Sequence, residues 1–395
     1  MTPPATTQLE PSLLDYLGEL DGVIAELANT WRPDDPHYRA DIYRQAMMNL
    51  SYAYFVHFHA DAEHPDWAPL ENPVFLQQPN PDTLYVYSPV RGDLRYRVSG
   101  NRGTCHSLVF MTQHGIIGAL DSFQAYKSFN TVDASDLAIG PDGEFEIVFS
   151  AERPAGYTGN WAPILPDTTS LMVRYVMQDW VHEIDPQLSI ECLDPVPPKR
   201  RLTPEDIVER IRAMATLPAN MDRIFLWQQN DLRKTAGVNT FVLQNLPFAS
   251  FQSYWPAVFE FSPGEALIVE TELPEVRPYW NLQLNDPYFN GIEYVYRLSS
   301  TNGYFARPSS DGKFRAVVAL EDPGVPNWLD TAGFTEGTLW GRWLGCNRTP
   351  LPTLKRVPFS AIRDHLPADT PVVTPEERRE ELAIRVRACQ RRRRW

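Results

Sequence analysis

The sequence has few cysteines and lacks the segments that mark secreted or membrane proteins. Its four cysteines include no Cys-x-x-Cys pair and are Cys105, Cys192, Cys346 and Cys389. This spacing disfavours a disulfide framework or a zinc knuckle. No apolar run is long enough to span a bilayer, and the first residues do not resemble a signal peptide. We therefore expect a cytoplasmic protein that does not contact a membrane.

The sequence also lacks the motifs of several common enzyme classes. It contains no glycine-rich phosphate loop, no Rossmann fingerprint, no Gly-x-Ser-x-Gly and no His-Glu-x-x-His. The formal net charge is -14, so we expect no attraction to nucleic acid. After these exclusions, the expected function is that of a cofactor-independent enzyme or of a small-molecule-binding protein.

What the chain does contain is a faint internal repeat. The matched segments are 142–148 with 311–317, Asn160-Trp161 with Asn327-Trp328, 170–175 with 338–343, and more weakly 84–86 with 267–269. A repeat of such long period predicts two similar domains in tandem. Residues present in both copies are interpreted as scaffold, so the two Asn-Trp pairs are predicted to cap loops and fill the core.

Two repeated arginines need a separate interpretation. Arg174 and Arg342 lie among apolar neighbours in predicted strands, where a buried guanidinium must be paired. The favoured interpretation is an internal ion pair in each copy, with Glu152 and Glu321 as partners. Anion binding is the alternative.

The periodicity of the chain predicts a mainly β protein with helical additions (α+β). Helical patterns cover 12–31, 40–58 and 203–234, while short alternating segments between turn residues predict two tandem jelly-roll-like antiparallel β domains. The expected units are a helical extension (1–66), a first β domain (67–195), a helical linker (196–239), a second β domain (240–365) and a basic C-terminal helix (366–395). The arginines at the end of that helix are interpreted as solvated.

At this point the sequence resembles a known family. Residues 278–284, the Asp-Gly pair at 311–312, and residues 322–330 and 341–343 resemble the domain of unknown function 1214, placed here in the last third of the chain. Residues 80–85, Asn-Pro-Asp-Thr-Leu-Tyr, resemble a signature of its usual N-terminal companion, the domain of unknown function 1254. The resemblance implies a pair of jelly-roll-like β domains. It implies no reaction.

Candidate functional residues are sought where the two copies differ. The first group is Asn80, Asp82, Tyr85 and Tyr87, which have no equivalent in the upstream match. A carboxylate beside two phenols predicts proton transfer, with Asp82 as base and Tyr85 as acid or oxyanion donor. Asn80 and Tyr87 would contact the substrate. The alternative is an Asx turn with packed tyrosines.

Histidines form the second group. His106 and His114 flank a predicted strand and could act as general bases, although half-buried structural histidines are the alternative. Near the end of a predicted helix, His57, His59 and the neighbouring Glu63 and His64 imitate a metal-binding pattern that normally lies on strands. A solvated helix end without a metal is the favoured interpretation, and metal binding there stays open.

The third group lies on one predicted strand of the second domain. Tyr279, Asn281, Gln283 and Asn285 share a face by alternation and form a polar stripe, joined by Trp280 and Tyr304 as further substrate-binding candidates. Amides and aromatic rings suit a hydroxylated ligand. A solvent-facing strand surface is the alternative.

Together these groups predict an enzyme that acts by acid-base chemistry, either hydrolysis or elimination. The substrate is expected to be a small, largely apolar hydroxylated molecule in a cleft between the two β domains. One alternative is a non-catalytic carbohydrate or lipid-like ligand-binding protein, which the 12% aromatic content favours. Another is a structural protein that forms homo-oligomers through flat sheet faces.

Overall fold

The chain folds into mainly antiparallel sheets flanked by a few helices. The computed structural model describes residues 13–18, 20–28, 36–120, 125–245 and 252–392. Within these ranges the strands form four sheets, two from each half of the chain. The predicted class, mainly β with helical additions (α+β), is confirmed.

Residues 68–192 form the first pair of sheets. The strands are β1 (Ala68–Pro69), β2 (Thr83–Pro89), β3 (Tyr96–Asn101), β4 (Ser107–His114), β5 (Lys127–Asp133), β6 (Glu144–Ser150), β7 (Asn160–Pro163), β8 (Ser170–Val176) and β9 (Gln187–Cys192). One sheet has the order β1-β2-β8-β4-β5, and the other has the order β7-β6-β3-β9. Phe110 on β4 contacts Phe149 on β6 with ring centroids 6.1 Å apart, so the two sheets share one apolar core.

Residues 252–358 form the second pair. The strands are β10 (Gln252–Glu260), β11 (Glu265–Thr271), β12 (Tyr279–Asn285), β13 (Ser300–Asn302), β14 (Phe314–Ala319), β15 (Trp328–Asp330), β16 (Glu336–Leu344) and β17 (Thr353–Pro358). The orders are β10-β16-β12-β13 and β15-β14-β11-β17. Trp280 on β12 packs on Phe314 of β14, with ring centroids 4.7 Å apart, in the core between these sheets.

The two pairs of sheets have matching strand orders. Strands β2, β8, β4 and β5 correspond to β10, β16, β12 and β13, and strands β7, β6, β3 and β9 correspond to β15, β14, β11 and β17. Each half also contains one parallel pair, β6 with β7 and β14 with β15. The repeat in the sequence therefore reflects a repeated arrangement of strands.

One of the sequence matches is wrong. Residues 84–86 lie in β2, whereas residues 267–269 lie in β11, which corresponds to β3. The counterpart of β2 is β10, because Tyr85 lies opposite Arg174 on β8 and Tyr254 lies opposite Arg342 on β16. Short apolar strands look alike in sequence, and only their pairing distinguishes them. Tyr85 therefore has an equivalent, contrary to the reason for which it was selected.

The repeated asparagines hold the same kind of loop in both halves. Asn160 donates to the carbonyl oxygens of Ala138 and Glu146 and accepts from the Ala138 amide. Asn327 makes the equivalent three hydrogen bonds, to both backbone groups of Arg307 and to the Arg315 carbonyl. The prediction that these residues cap loops is confirmed.

The helices lie near the predicted patterns, but the pattern over 12–31 contains two helices and the pattern from 40 begins at residue 36. They are α1 (Leu13–Leu17), α2 (Leu20–Ala28), α3 (Pro36–Phe58), α4 (Pro204–Ala236) and α5 (Pro375–Arg392). Thr203 and Asp206 form the capping box of α4, and Thr374 with Glu377 forms the same pattern at α5. Within the described ranges, no helix is both long and apolar enough to cross a bilayer.

Helix α4 is more than a connection between the two halves. It packs along α3, and its buried Asp222 accepts hydrogen bonds from Gln45 and Asn49 of α3 at 2.8 and 3.0 Å. Gln77, from the loop before β2, donates to the same Asp222 oxygen at 3.3 Å. This contact fixes α4 over the strands of the first half, where it forms a wall of the cavity described below.

The equivalence of the two asparagine loops can be tested by substitution. We expect Asn160→Ala and Asn327→Ala each to lower the free energy of unfolding by about 1–3 kcal/mol, because each removes three hydrogen bonds to backbone groups. Urea denaturation followed by circular dichroism measures this, with the exposed Asn230→Ala on α4 as control. A loss in only one of the two loop variants would contradict the structural equivalence.

Candidate functional site

A cavity lies between the two halves of the described chain. It measures about 710 Å³ and is bounded by residues of β2, β4 and β8, by residues of β10 and β16, and by α4. This volume suits a small organic molecule. The side chains that argue for a function are Glu71, Tyr85, Arg174, Tyr254 and Arg342.

Arg342 on β16 is held in place by neutral amides. It is 2% exposed. Its guanidinium donates to Gln283 and Gln78, both at 2.7 Å, and more weakly to Asn281 at 3.4 Å. Amide oxygens orient the guanidinium without neutralising its charge. The positive charge of Arg342 is therefore retained beside the cavity.

Arg174 on β8 occupies the equivalent position in the first half. Its guanidinium lies 5.4 Å from the centre of the Tyr85 ring, and Arg342 lies 5.7 Å from that of Tyr254. These are cross-strand pairs with cation-π geometry. The predicted ion pairs with Glu152 and Glu321 are wrong, because both carboxylates are exposed and do not line the cavity. Arg174 and Arg342, which are interpreted from the sequence as scaffold, thus both bring their guanidinium groups to one cavity.

Glu71 brings a carboxyl group to the same cavity. Burial raises the pKa of Glu71 to about 8, against the opposing effect of Arg174 and Arg342. Sequence reasoning missed Glu71, and its sequence neighbourhood contains no pattern that would have revealed it.

Tyr85 lines the cavity, as its predicted role requires. Burial raises the pKa of its phenol, while Arg174 and Arg342 lower it, so the hydroxyl stays protonated at neutral pH. Tyr126 lies in the same lining and receives a hydrogen bond from Gln113. The cavity therefore combines phenols, guanidinium groups and one carboxyl group that can exchange a proton near neutral pH.

Asp82 lies outside the cavity, in a buried network that joins the two halves. Its carboxylate accepts hydrogen bonds from Tyr279 at 2.8 Å, Asn302 at 2.7 Å and Trp180 at 2.8 Å. Burial raises the pKa of Asp82, and the Tyr279 and Asn302 hydrogen bonds oppose that effect. Because both oxygens already accept hydrogen bonds and Asp82 does not line the cavity with Tyr85, the geometry contradicts a role as the base beside Tyr85.

The other polar candidates of this region complete the same interface. Asn80 forms an Asx turn with the Asp82 amide, donates to Tyr279 at 2.8 Å and accepts from Asn281 at 2.8 Å. Gln283 donates to Asn285 at 2.7 Å. The polar stripe on β12 is neither exposed nor in contact with the cavity, because it is buried against residues of the first half.

Helix α5 closes this interface from outside. Arg385 and Arg392 lie 4.4 and 5.3 Å from the Trp180 ring, and Arg392 donates to the carbonyls of Pro81 and Asp82. The predicted solvated helix end is therefore wrong for Arg392, which is buried by these contacts. Residues 393–395 lie outside the described part of the chain.

Three further candidates lie away from the cavity. Tyr87 donates to the carbonyls of Phe55 and Val56 and so fixes the end of α3. His106 contacts Gln178 at 3.0 Å, and its pKa is lowered by burial and by Arg102. His114 contacts the Asp167 carbonyl at 2.9 Å. Each has a partner within the protein, as the structural alternative expected.

Two aromatic candidates are also misplaced by the sequence argument. Trp280 is 2% exposed in the core of the second half, because the alternation that directs Asn281 toward the first half directs Trp280 the other way. Tyr304 is 49% exposed at the surface, next to Phe305. Neither residue lines the cavity.

The histidines near the end of α3 are dispersed. His59 faces Asp66 at 3.3 Å, His64 faces Asp61 at 3.2 Å, and Glu63 pairs with Arg91 at 3.3 Å. Burial lowers the pKa of His57 to about 4. In the ranges that the structure describes, no three His, Cys, Asp or Glu side chains gather as metal ligands would.

Comparison with known proteins gives a relative that spans nearly the whole chain. A crystal structure of an uncharacterised protein from Burkholderia cenocepacia is 30% identical, covers 88% of this chain and 97% of its own, and superposes with a TM-score of 0.81. The chain belongs to the family of this protein. No curated protein matches the sequence.

Residues 88–177 match the family model described as protein of unknown function (DUF1214). The match lies in the first half of the chain, not in the last third where the resemblance is expected, and it does not include residues 80–85. A protein from Vibrio parahaemolyticus is 13% identical, with 80% and 98% of the two chains covered and a TM-score of 0.46. Procruciferin from Brassica napus is 9% identical, with 81% and 91% covered and a TM-score of 0.22. Neither of these two similarities indicates function.

The structural role of Asp82 predicts a loss of stability in Asp82→Asn. We expect a decrease of about 2 kcal/mol in the free energy of unfolding, because an amide NH2 would replace one acceptor oxygen and face a hydrogen-bond donor. Urea denaturation measures the change. The control is the exposed Asp93→Asn, which should leave the midpoint nearly unchanged. Unchanged stability in Asp82→Asn would contradict the proposed structural role.

The raised pKa of Glu71 predicts a pH-dependent stability difference. The folded chain binds this proton more tightly than the unfolded chain, so stability falls as the pH rises from about 5 through about 8. We expect Glu71→Gln and wild type to be similar at pH 5, and Glu71→Gln to be about 2 kcal/mol more stable at pH 9. Urea denaturation at both pH values tests this. The exposed Glu152→Gln is the control, and an equal pH dependence in all three proteins would refute the assignment.

Proposed function

We propose that the cavity is the active site of an enzyme that acts by acid-base chemistry on a small molecule with a largely apolar body. The observation that carries the proposal is the arrangement of Glu71 with Arg174 and Arg342, one guanidinium from each half, around open space. A carboxyl group with a strongly perturbed pKa in a cavity is typical of catalytic sites.

Glu71 is the proposed proton donor and acceptor. A pKa of about 8 lies near physiological pH, where both protonation states are accessible and general acid-base catalysis is most effective. Tyr85 is the proposed second group. Its phenol can donate a hydrogen bond to an oxygen that gains negative charge, and Arg174 beside it would stabilise that charge.

The lining supports a largely apolar, hydroxylated substrate. Met111 and Met172 on the first half and Trp340 on the second offer apolar surface, whereas Gln77 and Gln244 offer amides that can bind hydroxyl groups. Hydrolysis and elimination both need the proton transfers assigned above. No cofactor and no metal are required by the proposed chemistry.

A non-catalytic ligand-binding protein is the second candidate. The apolar surface of the cavity and its opening beside the exposed Trp227 favour it. In that case Glu71 and the arginines would hold a ligand that leaves unchanged. A homo-oligomer remains a third proposal.

We also propose that the two halves are jelly-roll-like domains that arose by tandem duplication. The matching strand orders and the equivalent Tyr-Arg pairs support this origin. The resemblance of residues 278–343 to the domain of unknown function 1214 agrees with it, since a duplicated domain would keep traces of the motif in both halves. The resemblance of residues 80–85 to the domain of unknown function 1254 stays a proposal.

The proposal is tested by mass-spectrometric profiling of a metabolite extract from the source organism. Wild type and Glu152→Gln should consume a compound and form its product, whereas Glu71→Gln should be slower by at least about 100-fold, since general acid-base catalysis contributes this much. Tyr85→Phe should also be slower. A compound that is enriched on the protein but unchanged in mass would support the ligand-binding alternative. Equal turnover in wild type and Glu71→Gln would refute the assigned chemistry.

A further inference from the structure

We infer that the ligand of this cavity is an organic carboxylate with an apolar body, whose carboxylate group binds to the guanidinium groups of Arg342 and Arg174. This inference rests on the proposed function, because it names the substrate class of the same cavity. It follows from the charge of the cavity, from the orientation of Arg342, and from the different chemistry of the two halves that meet there.

The charge of Arg342 is not compensated by its hydrogen-bond partners. A buried guanidinium is costly unless a negative group compensates it. The hydrogen-bond acceptors of Arg342 are the side-chain oxygens of Gln78, Asn281 and Gln283, all of them neutral. A protein that needed only to stabilise its own fold would gain more from a carboxylate at one of these positions. Neutral acceptors orient the arginine and leave its charge for a ligand.

The acidic groups of the cavity do not balance the two buried arginines at neutral pH. Glu71 and Asp231 are the acidic residues among the described lining, and Asp231 lies exposed on α4. Glu71 is mostly protonated at neutral pH, because burial raises its pKa to about 8. The inner part of the cavity therefore has an excess of positive charge at physiological pH.

The shape of the guanidinium groups favours a carboxylate as the head group of the ligand. A guanidinium presents parallel N–H groups that match a planar carboxylate in a bidentate contact. Protonated Glu71 can donate one further hydrogen bond to such a group. Among the described residues, the lining contains no lysine. These features fit a monoanionic carboxylate better than a dianionic phosphate, which needs more charge and more donors.

The apolar side of the cavity favours an apolar body for the rest of the ligand. The register against the two arginines makes Met111 on β4 the equivalent of Gln283 on β12, and Met172 the equivalent of Trp340. Gln283 supports Arg342 with an amide, whereas its equivalent in the first half, Met111, carries an apolar thioether. Phe225 and Leu232 of α4 add apolar surface to the same cavity. The ligand should have its charge near Arg342 and an apolar body along Met111 and Met172.

The same arrangement couples binding to the protonation of Glu71. When Glu71 ionises, its carboxylate competes with the ligand for the two guanidinium groups. Burial raises the pKa of the nearby phenols Tyr52, Tyr85 and Tyr126, so they remain uncharged through pH 9. The groups that face Glu71 or line the cavity are Arg174 and Tyr85 from the first half, Tyr126, Tyr52 from α3, Tyr254 and Arg342 from the second half, and Arg223 and Asp231 from α4.

The test is direct binding, measured by titration calorimetry and ligand-detected NMR without any turnover. The probes are 4-phenylbutyrate, its neutral amide 4-phenylbutyramide, and 4-phenylbutyl phosphate. We expect the carboxylate to bind at least about 10-fold more tightly than the amide, which lacks the charge-assisted hydrogen bonds. Equal binding of acid and amide, or no binding of the acid, would overturn the inference. Tighter binding of the phosphate would overturn the assignment of the head group.

Three variants locate the contact. Arg342→Gln and Arg174→Gln should each weaken binding of 4-phenylbutyrate by about 10- to 100-fold and leave binding of the amide nearly unchanged. Because either buried substitution could disturb folding, Arg174→Lys serves as a variant that keeps the charge but loses the bidentate geometry; it should bind more weakly than wild type. The exposed Arg201→Gln is the control. Unchanged binding in folded Arg174→Lys and Arg342→Gln would refute the site.

The pH dependence adds an independent readout. Wild type should bind 4-phenylbutyrate about 10-fold more weakly at pH 9 than at pH 6, because a group of pKa about 8 is largely ionised at pH 9. In Glu71→Gln this difference should vanish. A difference that persists in this variant would overturn the coupling.

The results also separate this inference from the proposed function. Carboxylate binding without turnover of any compound would support the inference and contradict catalysis. Turnover of an uncharged compound that depends on Glu71, together with no carboxylate binding, would support catalysis and overturn the inference.

Discussion

Burial of polar side chains between the two halves is the constraint on which the rest of the structure depends. Polar groups that leave water need partners, and here each half supplies partners for the other. Asp82 of the first half is bound by Tyr279 and Asn302 of the second. Asn281 connects this network to the cavity, because it donates to Asn80 and also accepts a hydrogen bond from Arg342. The interface that holds the halves together thus also orients a guanidinium at the cavity.

The repeated fold acquires a different chemistry in each half. Tyr85 with Arg174 and Tyr254 with Arg342 occupy equivalent cross-strand positions, so two sheets of matching strand order bring two similar pairs to one cavity. Their surroundings differ, since amides surround Arg342 and the equivalent positions near Arg174 are apolar. A cavity with one polar and one apolar side follows from this difference. Neither half alone contains such a cavity.

Much of the fold could be predicted because its signals are local. The capping residues before α4 and α5, the apolar periodicity of α3 and the alternating strands all depend on neighbours within a few residues. The internal repeat was visible for the same reason at 142–148 and 311–317. The mismatch of 84–86 with 267–269 shows the limit, because strands of similar composition are distinguished by their hydrogen-bonded partners rather than by their residues.

The candidate site was predicted only in part. Tyr85 was selected for an alignment that is wrong, yet it lies at the cavity. Tyr279, Asn281 and Gln283 form a polar stripe that the sequence shows to be unusual. Alternation alone, however, does not distinguish a polar face exposed to solvent from one that packs against the other half of the chain. Glu71 carries no local signal, because its pKa depends on burial by segments far away in sequence.

The sequence by itself determined the helices and their caps, the alternation of the strands, the repeat, and the presence of arginines where charge is costly. Each of these depends on interactions between residues close in the chain or on a comparison of two segments. Tertiary structure decided which polar groups satisfy each other and which face a cavity. Arg174 and Arg342 lie more than a hundred residues apart in sequence, and only the packing of the two halves and α4 places both beside Glu71. Burial and electrostatics act through space, so their effect on these groups is absent from any local pattern.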